Sequence, residues 1–397
     1  MTRALIVVLG VVLAAAACTE HLTTPGSCPT FCPGGQSAFR DTILTPVQGA
    51  DSSFTGFVAP SNLTSVLASN GGLYGDHRAV IRFLSRGDSV VVSDSSRSFT
   101  VDSVAIELGI QDRDTTVANF VLEIYRLPIT IDSTATLAAL DALFTPANLL
   151  AEVPEPASFR SGVFHVTFTG DSLTHLAFSP SDSGVLEIGL RVRADAPTGA
   201  RIGTPASGTF APAVTNYVKA IGVIDSLKAT SIGRTAVNFF TVSTPSPPPA
   251  TSLLAVGGIP VSRSFIRFVL PPFLKDSATI IRATLEVQAD APLVGIPADT
   301  AVLVATSVLV DFGAKSPVVA GVSAILPLVP GLTAASLEVT PLVQLWQGKT
   351  ATPSIVRLAL ADEGGTFLSP LFRSTRSASG APTLRITYRP PFAFEGY

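Results

Sequence analysis

The tetrapeptide Phe265-Ile266-Arg267-Phe268 occurs almost unchanged in the first half of the chain, as Val80-Ile81-Arg82-Phe83. Each copy follows a Gly-Gly pair, at 71–72 and at 257–258, and each Gly-Gly pair follows a Thr-Ser-aliphatic segment. The same order and similar spacing in both halves predict a duplicated unit. The apolar residues on both sides of the arginine are typical of a buried β-strand.

The next strand in each half carries a second shared pattern. Apolar residues follow the spacing i, i+3, i+5, i+7, as Val101, Val104, Ile106 and Leu108 in the first half and as Ile280, Ala283, Leu285 and Val287 in the second. A regular strand would keep a period of two throughout. The extra residue after the first position therefore predicts a β-bulge at the same place in both copies.

Composition supports an all-β fold. The 397 residues are 47% hydrophobic and only 14% charged, and they include 31 Gly and 31 Pro, which favours short strands joined by turns. We predict two tandem β-rich domains, at 41–225 and 226–391, followed by a C-terminal tail at 392–397. One amphipathic helical segment, at 133–144, interrupts the first domain.

The N-terminus has the layout of an export signal. One positive charge precedes an apolar run, and small residues end at Cys18. This pattern predicts a lipoprotein signal peptide at 1–17, with the Cys18 thiol acylated and the mature protein anchored to a membrane at the cell envelope, in the outer membrane or at the cell surface. The alternative is an ordinary signal peptide, in which Cys18 has no special role.

Residues 18–40 are rich in Thr, Pro and Gly without periodicity, which predicts a flexible stalk. Cys28 and Cys32 lie within it, and in an exported protein they are expected to form a local disulfide. Free thiols and a metal site are the alternatives, although two thiols are too few ligands for structural zinc.

Four segments of the second half carry a family resemblance: 264–271, 280–287, 339–348 and 382–388. Together they resemble the DNRLRE-type domain, which is related to carbohydrate-binding module family ninety-six, over about 239–390. The first half resembles it more weakly, through 81–83 and 101–108. The resemblance implies that the two tandem domains are jelly-roll-like antiparallel β-sandwich domains of a bacterial surface protein and, less directly, that they bind polysaccharide.

The chain offers few residues for chemistry. The net charge of −3, without a basic run, argues against nucleic-acid binding. A surface position is expected for His165 and a turn before a strand for His77, and solvated charge is the expected role of two carboxylate pairs, Glu152 with Glu155 and Asp362 with Glu363. Calcium binding at Asp-rich turns stays open, at 94–96, 112–114 and 181–183; no other metal or cofactor is expected.

Arg82 and Arg267, the central residues of the repeated tetrapeptide, are the candidate binding residues. A structural ion pair is the alternative role for each. The sole tryptophan, Trp346, follows Leu342 and Leu345 at helical spacing, which places its indole in the core rather than on a sugar-binding surface.

From these observations we expect a non-catalytic envelope protein that binds a glycan or acts in surface display, with a polysaccharide or an envelope protein as partner. A structural spacer or assembly protein without ligand is the alternative. A polysaccharide-degrading enzyme is a third hypothesis, and it requires clustered carboxylates in one groove.

Overall fold

The structure of the protein is a computed structural model that describes residues 39–57, 63–176, 184–223, 229–244, 248–297, 299–348 and 352–391. Strands make up 51% of it and helix 10%, so the predicted all-β class is confirmed. The signal peptide, Cys18, Cys28, Cys32, nearly all of the stalk and the tail at 392–397 lie outside the described residues.

The strands are numbered in chain order. Those of the first part of the chain are β1 (Arg40–Leu44), β2 (Asp51–Phe57), β3 (Ser65–Asn70), β4 (Asp76–Phe83), β5 (Ser89–Val92), β6 (Ser95–Arg113), β7 (Phe120–Leu127), β8 (Leu149–Glu155), β9 (Gly162–Thr169), β10 (Leu186–Arg193), β11 (Gly199–Gly203), β12 (Ala213–Ala220) and β13 (Ala229–Ser243). Those of the second part are β14 (Leu253–Ala255), β15 (Val261–Arg267), β16 (Thr279–Gln288), β17 (Ala301–Val308), β18 (Val318–Leu328), β19 (Ala334–Glu338), β20 (Ile355–Leu360), β21 (Leu371–Arg373) and β22 (Thr383–Arg389). The α-helices of the described ranges are α1 (Leu137–Asp141), α2 (Pro272–Asp276) and α3 (Thr340–Gln344).

The paired strands are antiparallel and form two sandwiches. In the first, the strands follow the order β13-β12-β6-β11-β3-β4-β10-β7-β8, and β5 and β9 also pair with β6. In the second, a five-stranded sheet of order β18-β17-β20-β15-β2 accompanies a four-stranded sheet of order β1-β22-β16-β19 and the pair β14-β21. Each sandwich buries its own apolar core: Ile81 packs with Ile106 in the first, and Leu358 with Leu285 in the second.

The internal repeat is confirmed strand by strand. In chain order, the equivalent pairs are β3 and β14, β4 and β15, β6 and β16, β7 and β17, β8 and β18, β9 and β19, β10 and β20, β11 and β21, and β12 and β22. The neighbours agree as well: β4 pairs with β10 as β15 pairs with β20, and β6 pairs with β12 as β16 pairs with β22. The two tetrapeptides therefore occupy equivalent central strands.

The predicted β-bulge is present in both copies. The pairing of β6 with β12 shifts register at Asp102, since Val101 lies opposite Val218 and Ser103 lies opposite Tyr217. The pairing of β16 with β22 shifts at Ile281, between Ile280 and Arg282. The bulge re-phases the strand so that the later apolar side chains face the core.

The first sandwich is completed by β13, from the middle of the chain, and the second by β1 and β2, from its start. β13 pairs through its first half with β12 and through its second half with β4, and so completes the first sandwich. In the second sandwich, two strands from the start of the chain take the equivalent positions. β1 pairs with β22, and β2 pairs with β15. The second sandwich is thus built from two segments that are separated by the whole of the first.

This pairing corrects the predicted domain boundaries of 41–225 and 226–391. The segments 40–57 and 229–243 each belong to the opposite sandwich from the one predicted. Their alternating apolar residues indicate a strand, but the alternation does not indicate which sheet edge the strand completes. From here on, the N-terminal unit is 63–243 and the C-terminal unit is 40–57 together with 253–391.

Helical segments cover two faces of the sandwiches. The predicted helix at 133–144 contains α1, and Leu140 and Phe144 from this segment pack against Tyr125 on the outer face of the N-terminal unit. Trp346 follows α3 and is fully buried in the C-terminal core, where its Nε1 donates a hydrogen bond to Ser307 Oγ at 2.9 Å. The predicted core position of this indole is confirmed.

Candidate functional site

A cleft of about 610 Å³ lies between the two units. Residues 73–77, at the turn between β3 and β4, form one wall, and residues 257–260, at the equivalent turn between β14 and β15, contribute to the other. The predicted Gly-Gly turns thus flank one cleft. Gly257 has a φ of +74°, and a Cβ at this position would meet Leu360 at 2.4 Å, so the turn requires glycine there.

Aromatic rings from both units meet beside the cleft. The Tyr74 ring contacts the Phe367 ring edge to face, with 5.3 Å between the centroids, and the His77 ring lies 5.8 Å from the same phenyl ring. The Tyr74 hydroxyl donates to Asp114 Oδ2 at 2.8 Å, and burial raises the pKa of Tyr74 well above its usual value. Phe367 also packs with Leu67 of the N-terminal unit, so this cluster joins the units.

His77 is the titratable imidazole of the cleft wall. Its Nδ1 is buried and has no hydrogen-bond partner among the described residues. Burial is the main cause that lowers the pKa of His77 to about 4, so the ring is neutral at pH 7. The sequence predicts a turn before a strand for this residue, whereas the structure places it in β4 and against Phe367, because the C-terminal unit covers this end of the strand.

The C-terminal wall carries hydroxyl groups. Thr55 Oγ1 and Ser262 Oγ lie 2.9 Å apart on neighbouring strands β2 and β15, and Ser369 is exposed at the rim. Hydroxyl groups both donate and accept hydrogen bonds, whereas the rings of Tyr74 and Phe367 offer apolar surface. The cleft is therefore lined by aromatic rings from both units and by hydroxyl groups of the C-terminal unit.

An arginine of the N-terminal unit fixes the position of the two units beyond the cleft. Arg201 donates to Asp299 Oδ1 at 2.9 Å, to Asp362 Oδ2 at 3.1 Å and to the Gly365 carbonyl at 2.8 Å, all in the C-terminal unit. The Asp299 side chain is only 5% exposed, and burial raises its pKa. Charge-assisted hydrogen bonds of this kind are stronger than neutral ones, so they fix the positions of the two cleft walls relative to each other.

The two candidate binding arginines lie outside the cleft, and both are paired. Arg82 bonds Glu187 on the adjacent strand and donates to the carbonyl groups of Ile129 and Ile131 at 2.7 and 2.8 Å. Arg267 forms a bidentate pair with Asp311 at 2.7 and 3.1 Å. These contacts agree with the alternative role, a structural ion pair.

The carboxylate pairs do not gather in one groove, and several are less solvated than predicted. Glu152 and Glu155 lie in strand β8 rather than in a loop. Asp362 bonds Arg201, whereas the buried Glu363 forms a bidentate pair with Arg263 at 2.8 and 2.6 Å. Each carboxylate of the pair 362–363 is thus bound by a different arginine.

Histidines and Asp-rich segments give no metal cluster in the part of the chain that the structure describes. His165 is exposed, as predicted, with its Nδ1 at 3.3 Å from Glu107 Oε2, and His175 is exposed as well. The segment 112–114 is a buried strand end and not a turn, since Asp112 pairs with Arg160 at 2.8 Å. The segment 181–183 lies outside the described residues.

The sequence did not indicate Arg201, Phe367 or the hydroxyl groups of the second wall as site residues. Each belongs to the cleft or its support only because the two units meet there, and their partners are far away in the sequence. The available signal was the pair of Gly-Gly turns, which mark equivalent ends of the two copies.

Comparisons with known proteins do not name a family. No family model matches the chain, and no curated protein matches it. Among solved structures, the protein "BspA_C_mut" is 11% identical with a TM-score of 0.12, and the match covers 74% of this chain and 77% of that one. The C-terminal domain of the Streptococcus pyogenes antigen I/II-family protein AspA is 10% identical with a TM-score of 0.12, over 83% of this chain and 92% of that one.

Within the described ranges, the helices are too short or too polar for any of them to span a membrane.

Proposed function

We propose that this chain is an exported, lipid-anchored protein of the cell envelope whose two β-sandwich units form a non-catalytic binding module for a glycan. The observation that supports the proposal is the cleft between the units. Its volume of about 610 Å³ lies within the roughly 300–1,000 Å³ that is usual for ligand sites. Both copies of the repeat contribute equivalent turns to it.

The chemistry of the walls suits a sugar ring. A pyranose has apolar C–H faces and a rim of hydroxyl groups, which match aromatic rings and hydroxyl groups in one cleft. Ser262 and Ser369 provide hydroxyl groups, and Tyr74 and Phe367 provide rings. The buried, unpartnered His77 Nδ1 is an acceptor that gains a partner if a ligand hydroxyl reaches it.

The proposed location rests on the N-terminal sequence. Two or three acyl chains at Cys18 hold a protein stably on a membrane, because each buried CH₂ contributes about 0.8 kcal/mol. The stalk at 18–40 then separates the module from that membrane. A polysaccharide or an envelope protein is the partner within reach.

A second candidate function is a structural spacer without ligand. The contacts of Arg201 favour it, since they join the two units through two ion pairs. A spacer requires rigidity, but it has no use for an open cleft.

A glycan array with the chain from residue 19 separates these functions. Ser369→Trp fills the rim of the cleft, and Ser231→Trp, on an exposed position of β13, is the matched control. We expect saturable binding by the unmodified chain and by the control, and a loss of at least about tenfold in Ser369→Trp. Binding that Ser369→Trp leaves unchanged would place the ligand elsewhere, and the absence of binding across a broad array would favour the spacer.

A further inference from the structure

Arg357 lies in the middle of β20, on the outer face of the five-stranded sheet. It pairs with Phe265 of β15 on one side and with Thr306 of β17 on the other. Residues directly opposite each other in antiparallel strands share a face, so these three side chains form one row. The cleft-lining turn at 257–260 directly precedes β15, and Phe265 lies farther along this strand.

The guanidinium of Arg357 has no hydrogen bond or ion pair with any described residue. Its Nε is buried, and so is the Oγ1 of the adjacent Thr306, which also has no partner. Burial of a polar atom without a partner is unfavourable, and for a charged group the cost is larger. Two such atoms in neighbouring positions of one row, neither with a partner among the described residues, leave hydrogen-bonding capacity for a further group.

The nearby carboxylates are already occupied. Glu363 binds Arg263 with both oxygens, at 2.8 and 2.6 Å, and Asp311 binds Arg267 with both oxygens, at 2.7 and 3.1 Å. Among the residues that the structure describes, three arginines therefore share this face with two carboxylates, and the charge of Arg357 has no ion-pair partner. Burial is the main cause that lowers the pKa of Arg357; the positive charge of Arg263 lowers it further, and Glu363 raises it in part.

The N-terminal unit shows that the fold itself does not require an arginine here. The equivalent of Arg357 is Gly189, because Gly189 pairs with Val80 of β4 as Arg357 pairs with Phe265 of β15. A Cβ at Gly189 would meet the Phe144 ring at 2.9 Å, so in this unit the position lies under an apolar covering segment. The same strand position is thus a glycine beneath an apolar segment in the N-terminal unit and an arginine with a buried, unpaired Nε in the C-terminal unit.

We propose that Arg357 and Thr306 form a binding site for one oxyanion, a sulfate, phosphate or carboxylate group, on the outer face of the C-terminal unit. The guanidinium donates charge-assisted hydrogen bonds to the anion, and the Thr306 hydroxyl donates one more. The site is separate from the glycan cleft and does not depend on the proposed function.

The test is thermal unfolding of the whole chain in sodium sulfate and in sodium chloride at equal ionic strength. Sulfate stabilises many proteins without binding them, so the variants are compared with one another. Arg357→Gln removes the charge, and Arg385→Gln, an exposed arginine of β22, is the matched control. We expect sulfate to raise the unfolding temperature of the unmodified chain and of the control, with an apparent Kd that increases at least about tenfold in Arg357→Gln.

Thr306→Val provides a second variant that keeps the charge and the shape of the side chain, and an increase of a few-fold in the apparent Kd is expected. The source of the anion is distinguished by titration with dextran sulfate and with neutral dextran. Binding of dextran sulfate that Arg357→Gln weakens assigns the site to a polymer-borne group, and a response to free sulfate alone assigns it to a small anion. An equal sulfate response in all variants would overturn the proposal.

Discussion

At the scale of single residues, His77 links the stability of the protein to pH. Its pKa is lowered to about 4 in the folded protein, mainly by burial, against 6.5 when unperturbed. Between these two values the unfolded chain binds a proton that the folded chain does not bind, so the free energy of unfolding falls as the pH drops from 6.5 to 4. Above pH 6.5 the contribution is constant.

We therefore predict that His77→Phe reduces the loss of stability on acidification. Urea unfolding at pH 7.5 and pH 4.5 should show a loss that is smaller by about 1–3 kcal/mol in His77→Phe than in the unmodified chain. His165→Phe, which changes an exposed histidine, is the control and should lose as much as the unmodified chain. The same loss in all three proteins would mean that His77 is not buried as described.

Single residues also mark the limit of what the sequence could predict. The buried position of Trp346 followed from its helical spacing with Leu342, because the period of apolar residues reports the buried face. The partners of Arg82 and Arg201 could not be predicted, since Glu187 and Asp299 lie 105 and 98 residues away. An arginine between apolar residues indicates that it lies in a strand, but the pattern does not indicate which carboxylate it pairs with.

At the scale of elements, the repeat was predictable, and so was its bulge. The matching apolar spacing of 101–108 and 280–287 placed one extra residue at the same point of both strands, and the register shifts at Asp102 and Ile281 confirm it. The closing strands were assigned to the wrong unit. Alternating apolar residues indicate that a strand has one buried face. They do not indicate its partner strand, which depends on the sheet edges that remain unpaired after the rest of the sheet has formed.

The closure of the C-terminal unit by β1 and β2 gives an element-scale prediction. In a chain that starts at Leu63, β22 and β15 each lose one neighbour, and Leu44 and Phe54 no longer pack on the C-terminal unit. We expect this unit to lose about 3 kcal/mol or more, since burying one such side chain is worth about 1.5–3 kcal/mol. Trp346 is the sole tryptophan and lies in the affected core, so its fluorescence reports the urea midpoint of this unit alone.

The internal control for this truncation is the N-terminal unit. Its transition, followed by far-UV circular dichroism, should keep its midpoint, because β13 rather than β1 or β2 completes it. A synthetic peptide of residues 39–57 added in trans should restore the fluorescence midpoint. A fluorescence midpoint that the truncation leaves unchanged would contradict the observed pairing.

At the scale of the whole molecule, the two copies of the repeated unit contact each other near equivalent turns and enclose a cleft. The sequence predicted the copies but not the cleft, because a repeat does not specify how its copies are oriented toward each other. That orientation depends on contacts between the units, such as those of Arg201 and the packing of Phe367 on Leu67. The cleft is lined by residues of both units, so neither unit alone predicts it.

Hydrogen exchange on the chain with its array-selected glycan tests most directly whether this cleft is the binding site. We predict slower exchange on glycan binding in two segments at once, 71–77 of the N-terminal unit and 257–262 of the C-terminal unit, with little change on the outer face of β13. Protection confined to one unit, or protection that excludes both turns, would contradict a site shared between the two copies.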